Sequence, residues 1–250
     1  MDYDEEMRKL QNFDPEHPGL RPPSLRKMAH LTAMGLYRMA SRTAFSTWND
    51  RMYRSLIGYD ALSKTEQDRI FNELVGAGLS VIMLTLDAPD LRVDRDLKEY
   101  YALLRDELPR AHLSELKRLG VEKKFLKIWE KLIATRYGEY SEAKLNARSA
   151  AMEYESQGKP LTRDDLDGIH LFLPAFTVAV GCHKHIFRGK TEGHDLAFKL
   201  LMKKLSRFYV PTRAAIEGHT ISPTIRLRMA VRHFLNDFKD WPTYRKREKY

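Results

Sequence analysis

The sequence predicts an all-α fold, and three observations carry that prediction. Apolar residues recur at three- and four-residue steps between glycine and proline punctuation, as one face of a helix requires. No segment alternates apolar and polar residues as a half-buried strand does, and neither an Asn-Gly hairpin turn nor an internal repeat occurs. The 250 residues are 43% hydrophobic, enough for a substantial core, while the single cysteine, Cys182, excludes an intramolecular disulfide framework and a cysteine-rich zinc module. The expected organisation is one multi-helix bundle over residues 24–240. An extended acidic, proline-rich arm at 1–23 precedes it, and its basic last helix leads into a basic tail at 241–250.

The arm is read from Pro15, Pro18, Gly19, Pro22 and Pro23. Ser24 is placed to cap a helix over about 24–43, with Leu25, Met28, Leu31, Met34 and Met39 as its apolar positions. A shorter helix containing Trp48, Met52, Tyr53 and Leu56 follows and stops near Gly58. Ser63 and Glu66 form a capping-box pattern, in which hydroxyl and carboxylate satisfy each other's orphan N–H groups. Behind it Phe71, Leu74, Val75, Leu79, Ile82, Met83 and Leu86 mark the clearest amphipathic helix in the chain.

Asp90 is the candidate cap of the next helix, which carries Leu97, Tyr100, Tyr101 and Leu104 and is expected to stop before Pro109. A short helix over 111–119 closes at Gly120. From about Val121 another helix sets Phe125, Trp129, Leu132, Ile133, Tyr137 and Tyr140 on one side and is expected to reach about Glu155. Gly158 and Pro160 break it, and Thr162 with Asp165 signals a new start. The segment 169–182 is apolar on nearly every side and is expected to be the central buried helix, kinked at Pro174. Gly189 and Gly193 introduce a helix using Leu196, Leu200, Leu201, Leu205 and Phe208, interrupted at Pro211. After Ser222-Pro223 a last helix uses Leu227, Val231, Phe234, Leu235 and Phe238.

The first residues, MDYDEEMRKLQNF, have no apolar core for a secretory signal and too many acids for a transit peptide. The longest apolar runs, 74–86 and 170–182, fall short of the ~18 residues of a spanning helix, so a membrane crossing is not expected, while contact with a membrane surface stays open.

Charge is unevenly spread. The chain has 43 Lys+Arg and 34 Asp+Glu, a formal net charge of +9. Residues 181–250 hold 16 basic and 6 acidic groups, whereas 59–110 hold 7 basic and 11 acidic. The C-terminal surplus reads either as a docking surface for an anionic partner (RNA, ribosome or acidic lipid) or as a solvated helix face with a basic tail. Lys203, Lys204 and Arg207, with Arg245, Lys246, Arg247 and Lys249, are its candidate contacts. Tyr244 and Tyr250 interleave with the last four, a pattern suited to a phosphate backbone beside stacking surfaces.

No Walker A loop, Gly-x-Gly-x-x-Gly, His-Glu-x-x-His, Gly-x-Ser-x-Gly or Glu-x-x-His pair occurs, so no catalytic residue and no cofactor is assigned. Cys182, His183 and His185, with His194 further on, are the one dense polar group. Thiolate and imidazole bind transition metals, but His183 and His185 do not share a face of a regular helix, and a basic cluster at a helix C-terminus explains them more simply. No metal site is therefore assigned. Tyr137 and Tyr140, on one helical side with Trp129, fit the core more readily than a partner-binding face, and both readings stand at this stage.

The stretches RIFNELVGAGLSVIML and LLRDELPRAHLSELKRLGVEKKFLKIWEKLIATRYGEYSEA resemble the ubiquinol–cytochrome c chaperone family. Leu119-Gly120-Val121, Lys124, Lys127, Tyr137-Gly138 and Tyr140 carry the resemblance, and LPAFTVAVGCHKHIFRGK is a fainter second match. The resemblance implies a non-enzymatic assembly factor for a respiratory-chain membrane protein, cytochrome b of the bc1 complex. It implies mitochondrial placement on the matrix side of the inner membrane in a eukaryote, and otherwise a cytoplasmic, membrane-peripheral one. A helical RNA- or ribonucleoprotein-binding protein is the alternative, and a metal-binding or catalytic bundle ranks third.

Overall fold

The computed structural model describes residues 24–92, 97–156, 160–190 and 195–218, together with Glu5 and Arg8. Several helices begin where a short polar side chain meets an orphan N–H group. Ser24 Oγ accepts from the N–H of Lys27 at 3.2 Å and opens α1 (Leu25–Trp48). The Asp50 carboxylate accepts from Tyr53 N–H at 3.1 Å and opens α2 (Arg51–Leu56), and a 3₁₀ turn spans Tyr59–Ala61. Ser63 Oγ accepts from Glu66 N–H at 3.3 Å at the start of α3 (Lys64–Leu86). The reciprocal half of that capping box is replaced, because the Glu66 carboxylate pairs with Arg69 and Arg188.

α4 spans Lys98–Arg118, α5 Lys123–Glu142, α6 Lys144–Ser156, α7 Arg163–Ile186 and α8 Leu196–Ile216. Among the described residues these eight α-helices form one all-α bundle domain, with no strand. Four expectations change. α4 continues through Pro109 and α8 through Pro211. Each proline forgoes one backbone bond, but buried residues on both sides hold the helix: Leu104, Leu108 and Ala111 in α4, Phe208, Tyr209 and Thr212 in α8. Asp90 caps no helix; its carboxylate accepts from Arg213 at 2.9 Å. The helix expected to reach Glu155 is divided at Ala143 into α5 and α6.

The centre of the bundle is also reassigned. α3, not the segment 169–182, is the interior helix: every residue from Glu73 to Thr85 is buried, and α3 packs against α1, α4, α5, α7 and α8. Leu171 on α7 is exposed. α3 and residues Leu166–Ile186 are each long and apolar enough to cross a membrane by length and composition, and α3 spends that apolarity on the core. Close approach needs small residues. A Cβ on Gly78 would stand 3.0 Å from Ala40 Cβ, where α1 meets α3. Of the arm, Glu5 and Arg8 are helical, not extended, and the helix expected over 227–238 lies outside the described residues.

Candidate functional site

The buried charged residues Glu73, Glu107 and Arg213 are each paired within the bundle. Arg136 of α5 donates twice to the buried Glu73 carboxylate of α3, at 2.8 and 2.6 Å, and once to Glu139 at 2.8 Å. Glu139 also meets His185 Nε2 at 3.0 Å. Arg69 donates to the carbonyls of His185 and Ile186 at 2.8 and 2.9 Å, satisfying orphan acceptors at the end of α7. Arg213 gathers Tyr209, Asp90 and Glu217, while Glu107 takes Arg26, His30 and Arg110. Burial works to raise the Glu107 carboxyl, yet these bonds hold it below its ordinary value.

Cys182, His183 and His185 do not converge. Cys182 is fully buried, its thiol donates weakly to the Glu73 carbonyl at 3.8 Å, and burial pushes its pKa well above the ordinary thiol range. His183 lies in the core, 3.3 Å from Asp195 and with its ring 4.6 Å from Phe187, whereas His185 turns toward α5. Burial first, and then Arg136, lowers the His185 pKa. Among the described residues, no group of three or more His, Cys, Asp or Glu could hold a metal ion.

The predicted contact residues separate in the same way. Tyr140 is buried with its ring against Gly181, so it belongs to the core and is unavailable to a partner. Tyr137 is half-buried and donates to Asp87, which Arg105 also holds at 2.9 Å. Burial, and then the hydrogen bond to Asp87, pushes the Tyr137 hydroxyl up to about 12. Lys204 is partly buried and pairs with Asp50 at 2.7 Å, tying the cap of α2 to α8. Lys203 is half-buried and Arg207 exposed. Arg245, Lys246, Arg247 and Lys249 lie outside the described residues.

Two surface regions were not selected by sequence patterning. Leu25, Met28 and Met39 on α1 are exposed, although their spacing reads as core. So are Leu119, Phe125 and Ile128 at the corner between α4 and α5. Six basic residues, Lys117, Arg118, Lys123, Lys124, Lys127 and Lys131, accompany this corner. The signal present in the sequence is the lysine run through 123–131; helical spacing sets Phe125 on the side of Trp129 and does not show whether that side is covered.

The fold thus defines the chain as an all-α bundle domain. Compared with known proteins, the chain matches no family model, no curated protein and no solved structure.

Proposed function

We propose that this chain is a non-enzymatic assembly factor that holds an apolar helix of a respiratory-chain membrane protein, cytochrome b on the resemblance noted above. It would do so beside the inner-membrane or ribosome surface on which that client is made. The observation that supports this reading is the outer side of α1. Leu25, Met28 and Met39 remain 39%, 41% and 39% exposed there, on a helix whose other side is built into the core. At 24 residues, α1 runs about 36 Å, comparable with the ~30 Å hydrocarbon thickness that a client's spanning helix must match. Methionine suits such a client because an unbranched, polarisable side chain fills irregular gaps against many partners.

Photo-crosslinking from position 28 or 39 in native cells tests the reading. A cytochrome b adduct is expected, and it should fall when Met28→Asp and Met39→Asp are combined, with the unfolding midpoint unchanged. Adducts confined to ribosomal RNA or ribosomal proteins would favour the ribonucleoprotein alternative. Normal cytochrome b accumulation without any adduct would remove the client role.

A further inference from the structure

We propose that the corner between α4 and α5 docks on an anionic lipid bilayer. This rests on the surface-docking step of the reading above and not on its client. Gly120 ends α4 in the left-handed conformation (φ +83°), with the Val121 N–H reaching back to the Leu116 carbonyl at 3.0 Å, so the chain reverses tightly and leaves Leu119 at the apex. Leu119 is 63% exposed, and on the first turns of α5 Phe125 and Ile128 are 45% and 62% exposed. Phe125 and Ile128, three residues apart, share one side of the helix, and Lys124, Lys127 and Lys131 run beside them at the same spacing.

The charge complements an anionic surface. Residues 117–131 hold six basic groups against Glu122 and Glu130. Arg118 and Lys124 have local partners in Glu115 and Glu122, but Lys117, Lys123, Lys127 and Lys131 are exposed and make no ion pair among the described residues. An aliphatic tip within a lysine ring matches the two parts of a bilayer surface: Leu119 and Ile128 can enter the acyl boundary while lysine stems snorkel to headgroup phosphates. RNA is the poorer match. Leu119 and Ile128 offer no hydrogen bond or ring to a base, and the Lys124 ammonium stands 4.9 Å over the Phe125 ring that a base would stack on. Each lysine near an anionic surface strengthens binding by about fivefold, so a cluster of four has a large combined effect.

The test uses the full chain carrying Leu119→Cys, labelled with an environment-sensitive dye. Cys182 is buried and stays unlabelled in the folded protein. Vesicles of phosphatidylcholine with about one third phosphatidylserine should shift the dye emission to the blue, and pure phosphatidylcholine should not. Lys123→Glu, Lys127→Glu and Lys131→Glu together should lower vesicle partitioning at least tenfold, and Ile128→Ser alone should reduce the blue shift, with helical content unchanged in both. Co-sedimentation without a spectral shift, equal binding to uncharged vesicles, or a triple variant that loses single-stranded RNA but retains vesicles would each overturn the proposal. Because no client is present in this assay, its failure leaves the cytochrome b reading to its own crosslinking test.

Discussion

At Gly181 and Tyr140 the bundle leaves no spare volume. A Cβ at 181 would stand 2.2 Å from Tyr140 Cε1, and Tyr140 is buried and cannot swing away. Gly181→Ala should therefore cost roughly 1–3 kcal/mol through overpacking, read as a lower urea midpoint. Gly138 is the contrasting case: nothing lies within 4 Å of a Cβ built there, inside α5. Gly138→Ala should stabilise by about 0.5–1 kcal/mol, because alanine loses less backbone entropy in a helix. His112 supplies the pH dependence. Its ring packs 5.1 Å from Tyr37 and 4.5 Å from Trp129, neither ring nitrogen has a hydrogen-bond partner, and burial lowers its pKa to about 4. The unfolded chain, with an ordinary histidine near 6.5, takes the proton first. The stability this group contributes is thus present above that value and lost as pH falls toward 4, about 3 kcal/mol in all. Replacing it, His112→Phe, should flatten the unfolding free energy between those two pH values; an unchanged slope would place the titration elsewhere.

Between elements, the Glu73–Arg136 pair ties α3 to α5, and Arg69 ties α3 to the end of α7. Both partners of the first pair are largely buried, so removing only one leaves an uncompensated charge. Arg136→Met should cost about 3–5 kcal/mol, and adding Glu73→Leu should recover much of that loss. A double-mutant cycle in urea measures the difference. This level also marks where sequence reading stops. Helix starts at Ser24 and Ser63 and stops at Gly58 and Gly120 are local chemistry, visible within four residues, and they recur in the fold. Glu73 and Arg136 are 63 positions apart, and Arg69 lies 116 positions from His185, so neither link leaves a periodic trace. Local rules also overstated Pro109 and Pro211, because tertiary packing outweighs one lost backbone bond. The same balance misplaced the centre: 169–182 is the more uniformly apolar segment, but small residues such as Gly78, against Ala40 of α1, let α3 accept close neighbours. In the candidate sites, the lysines of α5 were legible as charge. The exposure of Leu119, Ile128, Met28 and Met39 was not, since a periodic pattern shows that a face is apolar but not what covers it.

For the whole molecule, the excess charge divides between two places. Residues 117–131 hold 6 basic and 2 acidic groups, residues 219–250 hold 8 and 3, and the remaining residues balance. The first group surrounds exposed aliphatic side chains at a fixed helical corner, while the second includes Arg245, Lys246, Arg247 and Lys249, which have Tyr244 and Tyr250 but no leucine, isoleucine or valine beside them in sequence. Physical chemistry assigns them different effects. Charges acting without apolar insertion are screened within about 8 Å at physiological salt, so they raise the encounter rate and lose influence as salt rises. Apolar insertion persists in salt, because burial of hydrocarbon does not depend on the ionic atmosphere. A chain ending at Asp240 should therefore bind anionic vesicles more weakly at low salt and indistinguishably from the full chain at high salt. At lipid concentrations that saturate binding, the dye shift from Leu119→Cys should keep its amplitude throughout. Vesicle co-sedimentation across a salt series measures both, and an equal loss at every salt concentration would show that the tail is itself part of the docked surface.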